Sequence, residues 1–544
     1  MEVVCVTYSS GMGASEATLT RRRSKDYSPF SGMCATCLDG CTGFCEVGRS
    51  AVRGREVLYP QPFGRISAAA QKDYPIDLSH FSIMGTVVGA QGIEPDSDRA
   101  IFPAVDITTC LGRDGGLKLR LPVFIPALGS THIAAENWPH LAAGAALSGI
   151  GLVVGENVCA MDPEVEIRGG RVVRSPALEA RIRAFREWQQ GWGFVAVQAN
   201  VEDTALGVHE YAISRLGVEA VEIKWGQGAK DIGGEVKLTG IERARDLKGK
   251  GYIVLPDPDD PAVQEAYEAG AFTEFERHSR VGMVTPESFL RRVEELRRAG
   301  ARYVFLKTGA YRPRDLALAV RLASEARIDL LTVDGAGGGT GMSPWRMMNE
   351  WGVPTVYLVS LLRRYMDELR AKDAYLPPVA VAGGFSLEDH VFKGLALAAP
   401  YAKAIGMARA PLAAAMVGKT VAGMVREGKV PAEYRRFGDS IEKVFVLAGE
   451  LRRHLGSDFQ RLPDGAIGLY TYLQRLGQGL RQLMAGARKF NLSCLGRDDL
   501  AALTEEAARV SGGPHIMEID VEEAARVLAG STMGQGQELP GVAS

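Results

Sequence analysis

Between about residues 120 and 425 short apolar runs rich in β-branched residues alternate with stretches whose apolar positions recur every three or four residues. The runs lie at 123–128, 151–154, 194–198, 220–223, 303–306, 330–333, 379–382 and 402–405. Continuous apolar strands alternating with amphipathic helices predict βαβ units and a parallel sheet. Eight such units in about 300 residues predict an α/β fold, a (β/α)8 TIM barrel with one insertion. The insertion is placed at 256–284, where Pro256-Asp-Pro-Asp-Asp-Pro261 interrupts regular structure ahead of a helix at 286–299. A doubly wound open sheet is the alternative, because counting strands does not show closure.

The flanks read differently. Residues 1–60 are Gly-, Ser-, Thr- and Cys-rich with little amphipathic pattern; 61–119 form a lead-in of short apolar runs; 120–425 hold the barrel; 426–544 form a helical appendage, with helices expected at 441–455, 468–485 and 498–510. The 63 basic residues against 65 acidic ones leave a net charge of −2, no footprint for nucleic acid or an anionic membrane. Met1 to Ser10 lack the pattern of a signal peptide, and the longest uncharged run, between Glu136 and Glu156, is broken by Pro139 and four glycines. A cytoplasmic protein is expected.

Glycine, 64 of 544 residues, is the one excess in composition. Its informative part follows the predicted strands. The sixth strand ends in Asp334-Gly-Ala-Gly-Gly-Gly-Thr-Gly-Met-Ser-Pro344, the seventh in Ala382-Gly383-Gly384 and the eighth in Gly406-Met407-Ala408. Glycine lets backbone N–H groups approach an anion, and turns after the last barrel strands build the usual phosphate site of this fold. Gly338, Gly339, Thr340, Gly383, Gly384, Gly406 and Met407 are therefore candidate ligand-binding positions, with Gly129 and Ser130 after the first strand. Lys224 and Lys307 end otherwise apolar strands and are expected to meet an anion at the barrel mouth. Of eight scattered histidines only His132 is placed to reach that mouth; Met347 and Met348 read as core.

At this point the motifs resemble the FMN-binding barrel of the glutamate synthase family. Gly226-Gln-Gly-Ala-Lys230 with Gly233-Gly234 is similar to that family's Gln-Gly-Ala-Lys-Pro-Gly loop, and Gly338-Gly-Thr-Gly-Met-Ser-Pro344 to its Gly-Gly-Thr-Gly-Ala-Ser-Pro loop. The resemblance implies FMN in the cradle, Lys307 against the flavin, and Gln227 and Lys230 holding 2-oxoglutarate or the imine formed from it with ammonia. Glu156 stands where the family has a Ser-Gly-Glu-Gly segment; Arg243 or Arg245 could be a second carboxylate partner. Glu235 stands near a position that the family fills with glutamine. An FMN-dependent oxidoreductase reducing a 2-imino acid to an amino acid is the function implied. A methylamine–glutamate N-methyltransferase-like subunit, which resembles the chain through the same loops, and a flavin/iron–sulfur electron-transfer subunit without its own substrate are the alternatives.

Two departures from the family stand out. The sequence opens on no amidotransferase, so ammonia is expected to be free or to come from a separate amidotransferase subunit. The family's iron–sulfur cysteines follow the barrel, yet 410–432 holds none. Instead Cys34-x2-Cys37-x3-Cys41-x3-Cys45 supplies four thiolates ahead of it. This compact run lies nearer the bacterial ferredoxin pattern than the paired Cys-x2-Cys arrangement of zinc sites, so a [4Fe–4S] cluster is expected, with zinc as the other occupant. Electrons would come from ferredoxin or a reductase subunit, in an oligomer.

Overall fold

The computed structural model describes residues 51–53, 59–226, 236–339 and 343–530. Eight parallel strands close into a barrel: β1 (Val123–Leu128), β2 (Gly151–Val154), β3 (Val195–Ala199), β4 (Ala220–Lys224), β5 (Tyr303–Thr308), β6 (Leu330–Asp334), β7 (Val379–Ala382) and β8 (Ala402–Gly406). Closure is made by β8 on β1, with Ile405 opposite Val123, which removes the open-sheet alternative. All eight expected strands form. The third is displaced by one residue, and β4, β5, β6 and β8 run on into Lys224, Lys307-Thr308, Asp334 and Gly406, so residues expected beyond the strands belong to them.

Period-two alternation decides what fills the barrel. Phe124, Ala196, Ala220, Phe305, Leu330, Ala380 and Ala404 face one another in an apolar interior cluster. Beneath them a hairpin from the lead-in, Thr109–Leu111 paired with Leu117–Leu119, plugs the amino end with Leu111 and Leu119, both fully buried.

The insertion begins at Val236, ahead of the sequence break at Pro256. It is an antiparallel sheet in which Glu274–His278 lies between Val236–Thr239 and Ile253–Leu255. Helices Ile241–Gly249 and Pro261–Glu268 accompany it, around a small core of Leu238, Leu247, Val254 and Phe275. The prolines at 256–261 therefore mark a turn inside the insertion.

The appendage also departs from expectation. Its central helix is longer, Asp464–Gly486, and packs on Arg409–Arg426 and on His132–Ser148. The helix expected at 441–455 is split into Ile441–Val444 and Ala448–Leu455. Of 498–510 only Glu505–Ser511 is α-helical, because Leu500–Ala502 pairs as a strand with Phe81–Ile83 of the lead-in. No described helix is long and apolar enough to cross a membrane.

Candidate active site

One step along each strand beyond the apolar layer, the inward positions are Pro126, Gln198, Glu222, Lys307, Thr332, Ala382 and Gly406. The two sides of the barrel differ. On β7, β8 and β1 these residues are small, and a cavity of about 730 Å³ opens there, within the range of about 300–1,000 Å³ usual for cofactor pockets. On β3, β4 and β5 they are long and polar, and they fill the interior.

The cavity is lined by the predicted turns Gly337–Gly339, Gly383-Gly384 and Gly406. Gly383 and Gly384 have φ +119° and +98°, a region that favours glycine, and a Cβ on Gly384 would stand 3.3 Å from the Gly337 carbonyl oxygen. Two cations absent from the sequence-based set also line it. Arg409 opens helix Arg409–Arg426, whose amino end adds the positive pole of the helix dipole, and Arg65 comes from the lead-in. The lead-in is held over the cavity: Tyr74 Oη donates to the Ala336 carbonyl at 3.1 Å, the Gln71 N–H donates to Asn349 Oδ1 at 2.8 Å, and a Cβ on Gly339 would meet the Ala68 carbonyl oxygen at 2.8 Å. Arg409 went unnamed, although its place just after the Gly406 turn is a signal that could have found it; nothing in the local pattern of 61–71 indicates that this segment folds back across the barrel.

The polar side is a set of paired charges. Lys307 Nζ lies 3.1 Å from Asp334 Oδ2, and Lys224 Nζ donates to Glu156 Oε1 at 2.6 Å. Both lysines thus meet anions, from the protein itself. Burial works against the charge on Lys307, yet the carboxylates of Asp334 and Glu222 outweigh it and hold its pKa above the usual lysine value. Burial likewise opposes charge on Glu156, but Lys224 prevails and its pKa is lowered. Glu222 is fully buried and accepts a hydrogen bond from Gln198 Nε2 at 2.6 Å. There burial prevails over the neighbouring Lys307, and the carboxyl is pushed up to about 7. Glu222 and Gln198 escaped the sequence reading, although the alternation that turns Lys224 and Lys307 inward turns them inward as well.

Other candidates lie apart from the cavity. Met407 is buried, its N–H donating to the Phe124 carbonyl at 3.0 Å. Gly129 packs on the Glu156 backbone, where a Cβ would meet the carbonyl oxygen at 2.7 Å, and Ser130 follows it; neither lines the cavity. His132 is half exposed and pairs with Glu136 at 3.4 Å. Arg243 pairs with Asp246, and Arg245 with Glu242 and Asp259, on the insertion. Met348 is core. Gln227, Lys230, Glu235, Thr340 and the four cysteines Cys34, Cys37, Cys41 and Cys45 lie outside the described residues. Among the described residues no group of three or more His, Cys, Asp or Glu could hold a metal ion.

The cavity fits FMN on its own terms: sufficient volume, a glycine cradle without side chains, and two arginines with a helix amino end for a phosphate dianion. A closed parallel barrel whose carboxyl-end cavity rests on the turns after β6, β7 and β8 is the architecture of FMN-dependent barrel oxidoreductases. Residues 278–422, which contain β5 to β8 and all three glycine turns, match the family described as a conserved region in glutamate synthase. The chain thus carries a glutamate synthase-like, FMN-binding barrel domain. Among solved structures it is similar to the flavin-binding domain of flavocytochrome b2 from baker's yeast, with 14% identity, 85% of this chain and 84% of that chain covered, and a TM-score of 0.44. It is also similar to a mandelate oxidase mutant, with 14% identity, 77% and 87% covered, and a TM-score of 0.41, and to an (S)-mandelate dehydrogenase mutant, with 15% identity, 78% and 88% covered, and a TM-score of 0.40. No curated protein matches the chain.

Proposed function

We propose that the chain is an FMN-dependent oxidoreductase that reduces a 2-imino acid, formed from 2-oxoglutarate and ammonia, to the amino acid. The observation that carries the reading is the concentration of paired lysines and carboxylates, Lys224–Glu156 and Lys307–Asp334, on the side of the barrel from which the Gln227-Gly-Ala-Lys230 segment leaves β4. FMN bound in the cavity would supply hydride transfer. Arg409, Arg65 and the turns at Gly383 and Gly406 would hold its phosphate; Lys307 would place positive charge beside the ring. Lys230 would bind a substrate carboxylate, with Gln227 orienting the reacting end by hydrogen bonds. The Lys224 Nζ–Glu156 Oε1 pair would hold a proton close to that end, and the lead-in over the cavity would exclude water.

We further propose that Cys34, Cys37, Cys41 and Cys45 bind a [4Fe–4S] cluster that accepts electrons from ferredoxin or a reductase subunit, because four closely spaced thiolates suit that cluster. Free ammonia, or ammonia from a separate amidotransferase subunit, would serve as nitrogen source. Anaerobically purified protein supplied with FMN, a chemical reductant, ammonia and 2-oxoglutarate is expected to form glutamate. Bound, reducible FMN without glutamate overturns the substrate assignment. The same preparation is expected to contain iron and sulfide and to show broad visible absorbance beneath the flavin bands; zinc in their place overturns the cluster.

A further inference from the structure

The layer beneath the polar side of the cavity holds three buried polar atoms without a hydrogen-bond partner among the described residues: Gln198 Oε1, Glu222 Oε2 and Thr332 Oγ1. Buried polar atoms are nearly always paired, so two on facing positions of β3 and β4, with a third on β6 opposite Lys307, call for a physical account. The charges around them suggest one. Facing Glu222 are Lys224 from its own strand, Lys307 from β5, Asp334 from β6 and the neutral Gln198 from β3. Glu156, at the end of β2, pairs with Lys224. His209, on the packed helix Val208–Ser214, lies 3.2 Å from the Glu222 carbonyl oxygen; burial pushes its pKa down to about 4, so it stays neutral near pH 7. Among these described residues, with every carboxyl ionised, Glu156, Glu222 and Asp334 outnumber Lys224 and Lys307 by one, and beside Glu156 stand Arg277 and Asp203, of opposite sign. A proton on Glu222 brings that sum to zero and turns Oε2, which has no partner among the described residues, from an acceptor into a donor.

We propose that Glu222 is a second proton-holding residue of this site, apart from the Lys224–Glu156 pair, taking up one proton from solvent when the cavity above Lys307 and Asp334 gains negative charge and releasing it when that charge leaves. Its geometry suits the task. Asp334 lines the cavity, Lys307 joins Asp334 to the layer below, and Glu222 lies in that layer with its Oε1 fixed by Gln198. The balance is simple. Two electrons from an external reductant and one proton enter bound FMN, which adds one negative charge; one further proton from solvent converts the Glu222 carboxylate to the carboxylic acid. No bond forms between Glu222 and the cofactor. In this role Glu222 acts through Lys307 and sets the pH dependence of the reduction potential, not the fold. The proposal rests on FMN occupying the cavity.

Two measurements test it. Infrared pH-difference spectra of the FMN-free protein are expected to show a protonated carboxylic acid carbonyl band that disappears between about pH 6 and 8 and is missing in Glu222→Gln. Midpoint potentials of the FMN-loaded protein are expected to show a break in their pH dependence near neutrality, lost in Glu222→Gln, with the variant more positive than the parent above the break because a buried negative charge is gone. Gln198→Met, which removes the hydrogen bond favouring the charged carboxylate, is expected to move the break to higher pH. A carbonyl band unchanged by Glu222→Gln, or superimposable potential curves, would overturn the proposal. Failure of the parent protein to bind FMN is a different result: it overturns the assignment of the cavity, and the redox coupling with it.

Discussion

Lys307 and Asp334 form a pair only 8% and 13% exposed, and that burial decides its energetic weight. Arg298 and Glu294, on a helix surface, are closer, at 2.9 Å, but 77% and 63% exposed, so solvent leaves them about 0–1 kcal/mol. Lys307→Met takes from Asp334 its buried partner, and breaking a buried pair from one side costs about 3–5 kcal/mol. Urea unfolding of Lys307→Met is expected to show a loss in that range, with Lys307→Met/Asp334→Asn recovering more than half of it. Equal stability of Lys307→Met and its parent would mean that water reaches the pair. Strand alternation made both lysines legible as inward-pointing. Their partners were not: Asp334 lies beyond the apolar run of the neighbouring strand β6, and Glu156 follows β2, two strands from Lys224, so only the register and curvature of the barrel show which charges meet.

At the scale of elements, the barrel strands were legible because parallel strands buried on both faces are continuous apolar runs, whatever surrounds them. Where the reading failed, a long-range partner had overridden local preference. Leu500-Ala-Ala502 has helical propensity but completes a two-stranded sheet with Phe81–Ile83, and Val236–Thr239 becomes a strand only against Glu274–His278. The glycine turns, by contrast, are local devices and were found from sequence. Gly384 shows how narrow their tolerance is. Its φ of +98° disfavours any side chain, and its Cβ would point to within 3.3 Å of the Gly337 carbonyl oxygen across the cradle. Gly384→Ala is therefore expected to strain the turn by about 1–3 kcal/mol and to weaken FMN binding at least tenfold in a fluorescence titration. Unchanged affinity would remove this turn from the FMN contact.

At the scale of the whole molecule, the lead-in and the appendage are not independent flanks. They join through the Phe81–Ile83 and Leu500–Ala502 strands and through bridges of Gln91 to Lys489 and Asp106 to Asn491, so the two ends of the described chain clasp the barrel between them. None of this was legible, because it depends on residues about 400 positions apart meeting. The clasp reaches the site through one crossing of helices. Asp464–Gly486 lies so close to Arg409–Arg426 that a Cβ on Gly468 would meet the Ala414 carbonyl oxygen and the Gly418 Cα at 2.7 Å, and a Cβ on Gly465 would meet the Ala415 carbonyl oxygen at 2.4 Å. These contacts are backbone, which cannot move aside as a side chain can, so a leucine at 468 has to push the helices apart. Overpacking of this kind costs about 1–3 kcal/mol, and here the displaced helix is the one that opens with Arg409 at the cavity. Gly468→Leu is expected to lower the thermal midpoint and to weaken FMN binding although it touches no cavity residue. Gly423→Leu, on helix Arg409–Arg426 itself but with nothing within 4 Å of its Cβ, is expected to change neither. If Gly468→Leu lowers the melting temperature while FMN affinity stays that of the parent, the appendage stabilises the barrel without positioning the cofactor cradle.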